Sequence, residues 1–241
     1  MDGQILKVEN LEVTLNEQKI LENVNFDVHR GEVLAIVGPN GAGKTTLFKA
    51  LLGLVPHSGL IKWMDGIKIG YVPQKLYIEH GIPLTVKEFL SLKTNSFEEI
   101  KNVLNAVGIV YDETHEHHVE QHILNRPMEL ISSGESQRVL IAWALIGNPD
   151  VLLFDEPTAG IDIGGKQTIY HLIHNLQETK KLTVILISHD LNVVYQYANE
   201  VVCLNRKQIC IGTPKETLDH EHIQMLYGGK TSFYQHVHKE H

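Results

Sequence analysis

The chain has 241 residues, 43% of them apolar, which is enough for one large domain or two small ones with a buried core. Its net charge of −8 argues against nonspecific binding of nucleic acid, because such binding needs a basic face. The longest apolar runs, 33–37 and 184–187, fall far short of the roughly 20 residues that span a bilayer, and the Met1 end shows no signal segment, so we expect a chain that is soluble by itself.

The apolar periodicity predicts an alternation of strands and helices, with short amphipathic helices between Pro73 and Arg126. An alternation of buried strands with helices is typical of a mostly parallel α/β core, and the helical stretch predicts an insertion into that core. In chain order the elements are strands within 5–28 and at 31–38, a helix at 44–54, strands at 59–63 and 68–72, helices at 85–92, 97–109 and 135–147, a strand at 151–157, a helix at 164–178, a strand at 182–189, a helix at 191–199 and a strand at 200–205.

The stretch GPNGAGKTT follows a predicted buried strand and opens a predicted helix. Glycines let the backbone turn its N–H groups inward, and the helix presents its positive end to an anion. Lys44 is expected to reach the β- and γ-phosphates of a nucleotide, Thr45 to ligate Mg²⁺ and Thr46 to contact the α-phosphate. The alternative is a glycine-rich turn that only caps a helix. The predicted phosphate loop comprises Gly38, Pro39, Asn40, Gly41, Ala42, Gly43, Lys44, Thr45 and Thr46.

The strand at 151–157, VLLFDEP, ends in two carboxylates. Asp155 would face the same crevice as the phosphate loop, since ligands bind at the carboxyl ends of the strands of such sheets, and it would hold Mg²⁺ through water. Glu156 would polarise the attacking water. The alternative is a strand that simply ends in a polar turn. Combined with the phosphate loop, the two carboxylates predict nucleotide hydrolysis.

The block 131–162, beginning ISSGES and ending in AGID, resembles the signature-to-D-loop block of ABC ATPases. A helix that opens just after Ser132 offers its N–H groups and the serine hydroxyl as a second anion site, although an ordinary N-capped helix has the same pattern. The resemblance implies that Ser132, Gly134 and Glu135 close over ATP held by a second copy of the chain, in a head-to-tail dimer. Ser133 stands where the family favours glycine.

The resemblance covers about residues 5–228 and implies roles for four more residues. Gln74 matches the Q-loop, which contacts the metal and links the core to the helical subdomain. Asp162 matches the D-loop and would face the dimer partner. His189 matches the H-loop, with a neutral imidazole against the γ-phosphate and the attacking water. Leu15 stands where the family has an aromatic residue, so it would give the adenine apolar contact without ring stacking.

The implied fold is an α/β P-loop NTPase of the ABC ATPase type, with a mostly parallel core sheet, an antiparallel β subdomain and an inserted helical subdomain. It implies a single ATPase domain over 1–228, with its core at 1–73 and 148–228 and the helical insertion at about 74–147. Residues 229–241 form a histidine-rich tail.

Three stretches, 69–90, 125–140 and 201–228, resemble the ATPase subunits of bacterial high-affinity zinc importers, and manganese and iron-chelate importers share most of this pattern. The resemblance implies ATP and Mg²⁺ as ligands, ABC permease subunits as partners that dock on the helical insertion, and an extracytoplasmic metal-binding protein as an indirect partner. It implies no nucleic acid and a peripheral place on the cytoplasmic face of the membrane. Other hypotheses are the same ATPase role with another cargo, a soluble ABC protein and a non-catalytic metal buffer.

Histidine is unusually frequent, with 15 residues, whereas there are only two cysteines. Cys203 and Cys210 do not make a disulfide framework, which fits a reducing compartment. Two histidine-rich stretches suggest either a zinc sensor or a solvated helix face and a frayed tail. Their members are His115, His117, His118, His122, His236, His238 and His241.

Overall fold

The computed structural model of the protein describes residues 3–76, 82–109, 123–159 and 161–228. The strands are β1 (Gln4–Leu15), β2 (Gln18–His29), β3 (Val33–Val37), β4 (Ser58–Trp63), β5 (Ile69–Val72), β6 (Val151–Asp155), β7 (Thr183–Ile187), β8 (Glu200–Asn205) and β9 (Lys207–Gly212). The helices are α1 (Lys44–Leu51), α2 (Val86–Ser91), α3 (Phe97–Ala106), α4 (Ser133–Leu145), α5 (Ile163–Lys180), α6 (Leu191–Tyr197), α7 (Pro214–Thr217) and α8 (His220–Tyr227), with short 3₁₀ turns at Ile123–Asn125 and Met128–Leu130.

The described strands form one mixed sheet in the order β4-β1-β2-β9-β8-β3-β7-β6-β5. Strands β8, β3, β7, β6 and β5 run parallel to one another. Strands β1, β2 and β4 pair antiparallel, and β9 is antiparallel to β8. This arrangement confirms the predicted α/β fold, with a parallel core and an antiparallel part at one side.

The central strands are buried on both faces, which explains their uninterrupted apolar runs. In β6, Val151 and Leu153 contact the cluster that includes α1 and the antiparallel strands. Leu152 and Phe154 contact the opposite cluster, which contains residues of α2 to α5. Since β3, β6 and β7 run parallel, the polar residues that follow each strand meet at one edge of the sheet.

Helices α2, α3 and α4 lie between β5 and β6 in the chain, where the helical insertion was predicted. The rings of Phe89 and Trp143 stack with their centroids 5.9 Å apart. The Lys93 ammonium lies 4.4 Å from the Trp143 ring centroid and donates to the Trp143 carbonyl at 2.9 Å, which joins α2 to α4. The boundaries at 74 and 147 stay a prediction, as does the tail at 229–241, which lies outside the described residues.

The carboxyl-terminal part of the fold differs most from the sequence-based elements. Strand β9 and helices α7 and α8 lie in a stretch for which no element was predicted. Cys203 and Cys210 lie directly opposite each other in the β8–β9 register, and the structure joins them as a disulfide with their Cα atoms 4.9 Å apart. One cross-strand pair is not a framework of several disulfides, so the reducing compartment stays a prediction. Among the described helices, each is too short or too polar to cross a bilayer.

Glu99 at the start of α3 joins this helix to the end of α4. Its carboxylate accepts from the Thr94 hydroxyl at 2.6 Å and from the Gly147 N–H at 2.9 Å, and these bonds lower the pKa of Glu99. Because the side chain is partly exposed, we expect Glu99→Ala to cost about 1 kcal/mol at pH 7, and to lower Tm by about 2–4 °C. Thermal unfolding followed by circular dichroism measures this change.

The matched control is Glu98→Ala, which removes an exposed carboxylate from the same helical turn. A lowered folded-state pKa means that the stabilisation is present above the unfolded pKa of about 4.3 and is lost as the pH falls through the folded value. The difference in Tm between the wild type and Glu99→Ala should therefore shrink below about pH 4. Equal losses in the two variants would contradict the role given to Glu99.

Candidate functional site

The phosphate loop runs from the end of β3 to the start of α1, and two of its glycines are sterically required. A Cβ on Gly38 would lie 1.9 Å from the Leu204 carbonyl oxygen. Gly43 has φ of 95°, and a Cβ there would lie 2.6 Å from the Leu21 side chain. Because real Cβ contacts are longer than this, any other residue would displace the loop from β8 and β2. The loop is therefore held against two neighbouring strands.

The amino-terminal end of α1 is open to an anion. Gly43 is its N-cap and has no side chain to cap the first N–H groups, and the first turn carries no acidic residue. These N–H groups and the helix dipole favour a negative ligand at this end. The loop and the helix thus have the geometry predicted for a phosphate site.

Lys44 is buried beneath the loop. Its Nζ donates to the Gly38 carbonyl at 2.8 Å and to the Pro39 carbonyl at 3.0 Å, and lies 4.0 Å from Glu156 Oε1. Burial lowers the pKa of Lys44, and the nearby Glu156 and Asp155 carboxylates partly oppose that effect. A desolvated ammonium at the loop is placed to pair with phosphate oxygens.

Asp155 ends β6 with its side chain almost fully buried, at 2% exposure. Its Oδ1 accepts from the Thr45 hydroxyl at 3.3 Å, and its Oδ2 accepts from the Tyr71 hydroxyl at 3.4 Å. Burial raises the pKa of Asp155, and burial together with the Asp155 charge raises the pKa of Tyr71 to about 12. Tyr71 was not among the predicted site residues, because an aromatic residue in a strand is usually a core residue.

Glu156 lies at the centre of the site. Its Oε2 accepts from the Gln74 side-chain amide at 2.7 Å and lies 2.6 Å from His189 Nε2. Two predicted residues therefore contact the carboxylate of a third. Its backbone adopts φ of 51°, which is uncommon for a residue other than glycine and is seen at functional sites. The Glu156 N–H donates to the Ile187 carbonyl at 3.2 Å, which ties the end of β6 to β7.

A cleft of about 680 Å³ is lined by residues 40–46 of the predicted loop together with Gln74, Glu156 and His189, whereas Gly38 and Pro39 do not line it. Leu15, predicted to contact the base, does not line this cleft and packs at the edge of the core around β1 and β2. Ile20, which sequence reasoning missed, does line it, because β2 passes beside Gly43. The lining residues are Ile20, Asn40, Gly41, Ala42, Gly43, Lys44, Thr45, Thr46, Gln74, Glu156, Ala159 and His189.

The signature residues lie at the start of α4 and do not line the cleft. As predicted, α4 opens just after Ser132, whose hydroxyl accepts from the Glu135 N–H at 3.2 Å. Glu135 Oε2 in turn accepts from the Ser132 hydroxyl and N–H, each at 2.8 Å, which completes a capping box. The Arg126 guanidinium donates to Glu135 Oε1 at 3.1 Å. Gly134 follows in the first turn, where an added Cβ would meet no atom outside the helix backbone within 4 Å.

Asp162 is the N-cap of α5, and its Oδ1 accepts from the Gly165 N–H at 2.9 Å. Its side chain is exposed, as a residue facing a partner chain requires. The described residues contain no cluster of three or more histidine, cysteine or acidic residues suited to a metal ion. The histidine-rich stretches at 115–122 and 236–241 lie outside the described residues.

Comparison with known proteins places the chain among transporter ATPases. Residues 21–159 match the family model described as ABC transporter. The chain is 38% identical over 240 residues to the zinc import ATP-binding protein ZnuC of Photorhabdus laumondii, covering 97% of this chain and 89% of the relative.

Two solved structures have the same fold. A metal-chelate type ABC transporter in an inward-facing conformation has a TM-score of 0.79 at 26% identity, covering 93% of this chain and 89% of that chain. A component of the cbiONQ ABC transporter complex of Clostridium perfringens has a TM-score of 0.74 at 29% identity, covering 93% and 94%. The match therefore extends beyond the phosphate loop to nearly the whole chain.

Proposed function

The chain belongs to the ABC transporter family, and we propose that it is the ATP-hydrolysing subunit that energises zinc import through a partner permease. The observation that carries the hydrolytic part is the meeting of Gln74 and His189 at the Glu156 carboxylate, in the cleft that also contains Lys44. The zinc part rests on the 38% identity to a zinc import ATP-binding protein over 97% of this chain.

The side chains have distinct parts in hydrolysis. The loop N–H groups and Lys44 bind the β- and γ-phosphates and offset their charge as it moves toward the leaving group. Glu156 accepts a proton from the attacking water, which its position beside Lys44 allows. His189, whose Nε2 lies 2.6 Å from Glu156 Oε2, orients the carboxylate and contacts the γ-phosphate.

The residues around Asp155 fit a magnesium ion. The Thr45 hydroxyl and the Asp155 carboxylate lie 3.3 Å apart, and hard oxygen donors of this kind are what Mg²⁺ prefers. Thr45, Asp155 and the Gln74 side-chain amide would hold the ion. When bound, Mg²⁺ supplies positive charge against the phosphate oxygens.

The signature residues support a second half of the site. Ser132 and Gly134 begin a helix whose N-terminus lies outside the cleft of its own chain. We propose that a second copy presents this helix end to the γ-phosphate, and that exposed Asp162 lies at the same dimer contact. When two copies close over ATP, helices α2 to α4, on which the permease would dock, would transmit the movement to the permease.

We propose that the chain lies at the cytoplasmic face of the membrane. There it would bind permease subunits, with which ATPase subunits of importers work. An extracytoplasmic metal-binding protein would deliver the cargo. The opposing hypothesis is the same ATPase role with manganese or an iron chelate as cargo. The likeness to a metal-chelate type transporter favours this hypothesis. A soluble ABC ATPase without a permease is the third reading.

The test is ATP hydrolysis by the chain assembled with its permease in lipid vesicles that enclose the metal-binding protein. We expect Zn²⁺ to stimulate hydrolysis more than Mn²⁺ or a ferric chelate at matched free concentrations. Stimulation by one of the other two cargoes would overturn the zinc assignment and keep the ATPase. Hydrolysis that is indifferent to permease and cargo would favour the soluble reading.

A further inference from the structure

A buried chain of three hydroxyl groups lies behind the catalytic residues. The Tyr170 hydroxyl, on α5, lies 3.1 Å from the Thr158 hydroxyl and 3.1 Å from the Ser188 hydroxyl. The three residues are buried, at 4%, 8% and 1% exposure. A buried hydroxyl without a partner is costly, so these mutual bonds constrain where all three side chains lie.

The two outer members of this chain are neighbours of the catalytic pair. Thr158 comes two residues after Glu156, and Ser188 comes immediately before His189. Tyr170 is thus the side chain that connects the loop after β6 to the loop after β7. The Glu156 carboxylate and the His189 ring meet on the other side at 2.6 Å, so the connection closes into a ring.

Hydrogen bonds to backbone groups link Thr158 and Ser188 to neighbouring residues in their loops. In the first loop, the Ala159 N–H donates to the Glu156 carbonyl at 3.1 Å, and the Ile161 N–H donates to the Thr158 carbonyl at 3.2 Å. In the second, the Ser188 hydroxyl accepts from the Asp190 N–H at 3.1 Å. A displacement of Thr158 or Ser188 would therefore move Glu156 or His189.

The same tyrosine also has a plain packing role, since its ring belongs to the core cluster that includes α4 and α5. A packing role needs only the ring, and phenylalanine would fill it. The hydroxyl is the part that a packing role does not explain. Its burial raises the pKa of Tyr170, so it stays protonated and able to donate.

We propose that Tyr170 is a positioning residue that sets the distance between Glu156 and His189 for hydrolysis. It touches neither nucleotide nor water and acts through Thr158 and Ser188. This inference rests on the proposed ATPase function. It assigns to the hydroxyl a role in turnover and none in nucleotide binding, since Tyr170 is not among the cleft-lining residues.

The test compares the full-length wild type with Tyr170→Phe in steady-state Mg-ATP hydrolysis. We expect kcat to fall about tenfold, because small misplacements of catalytic groups are costly, while KM and the affinity for a non-hydrolysable ATP analogue stay within about twofold. Thr158→Val should lower kcat in the same direction. Because Tyr170→Phe already removes the hydrogen bond that Thr158→Val breaks, kcat of the double variant should lie within about twofold of that of Tyr170→Phe.

The matched control is Tyr197→Phe. The Tyr197 hydroxyl, on α6, lies 3.2 Å from Nδ1 of the exposed residue His171 on α5, and the change removes that hydrogen bond. This variant should keep the kcat of the wild type. An unchanged kcat in Tyr170→Phe, or losses in Thr158→Val and Tyr170→Phe that multiply, would overturn the inference. So would a loss of nucleotide affinity in step with kcat, which indicates general disruption. A wild type that binds ATP without hydrolysing it would overturn the proposed function itself and the inference with it.

Discussion

Replacing Glu156 by glutamine should lower the rate of ATP hydrolysis by about a hundredfold or more and leave ATP binding nearly intact. Glutamine keeps the shape of the side chain and can still accept from the Gln74 side-chain amide, but it cannot accept the proton of the attacking water. The ATP-bound dimer should therefore accumulate. Phosphate release measures the rate, and size-exclusion chromatography with ATP measures the dimer.

The matched control for this change is Glu178→Gln, which neutralises an exposed carboxylate near the far end of α5. It should keep the rate and the oligomeric state of the wild type. A Glu156→Gln variant that still turned over at the wild-type rate would remove Glu156 from the role of base. Loss of both binding and turnover would instead indicate that the strained backbone at φ of 51° does not tolerate the change.

Replacing Gly38 by alanine removes the nucleotide site through a steric effect. The new Cβ would lie 1.9 Å from the Leu204 carbonyl oxygen, and neither atom can rotate away, because the Cβ is fixed on the Cα and the oxygen belongs to the backbone. We expect a loss of about 3 kcal/mol of stability, or roughly 6–12 °C in Tm. The loop N–H groups would turn away from the phosphates, so ATP affinity should fall more than about tenfold.

Gly66→Ala is the control for this second change. Gly66 has φ of 76°, but a Cβ there would meet nothing within 4 Å. Strain alone should cost about 1 kcal/mol and leave ATP affinity unchanged. Fluorescence titration with an ATP analogue and thermal unfolding distinguish the two variants. Similar behaviour of the two would mean that the contact with Leu204 does not hold the loop.

The local parts of the site were accessible to sequence reasoning. The phosphate loop at 38–46 is contiguous, and each residue type has a physical reason at its position, so the pattern itself predicts the shape. Asp155 and Glu156 follow an apolar run that could be recognised as a buried strand. The structure places Lys44, Thr45 and both carboxylates together at one edge of the sheet, as those patterns predicted.

The parts that were missed depend on contacts between distant segments. Tyr170 lies on the buried face of α5, where apolar residues are expected, so the sequence pattern predicts only a core residue. Its hydroxyl contacts residues 12 and 18 positions away. Tyr71 has the periodicity of an ordinary strand residue, and Ile20 lines the cleft only because β2 passes beside Gly43. A hydrophobic periodicity of 2 or 3.6 residues predicts strands and helices but not contacts between distant segments. The end of the chain was missed for another reason: β9 fully buries only Cys210 and α7 spans four residues, so neither has an apolar pattern that predicts an element.

The position of Lys44 has a consequence for the kinetics of nucleotide entry. With Nζ bonded to the Gly38 and Pro39 carbonyls, the loop is held around its own cation by hydrogen bonds within the chain. Arrival of ATP then exchanges partners of one ammonium group and does not fold a disordered loop, so little ordering entropy opposes association. We expect amide hydrogen exchange in the loop to be slow already in the free protein, and the association rate to depend on ionic strength.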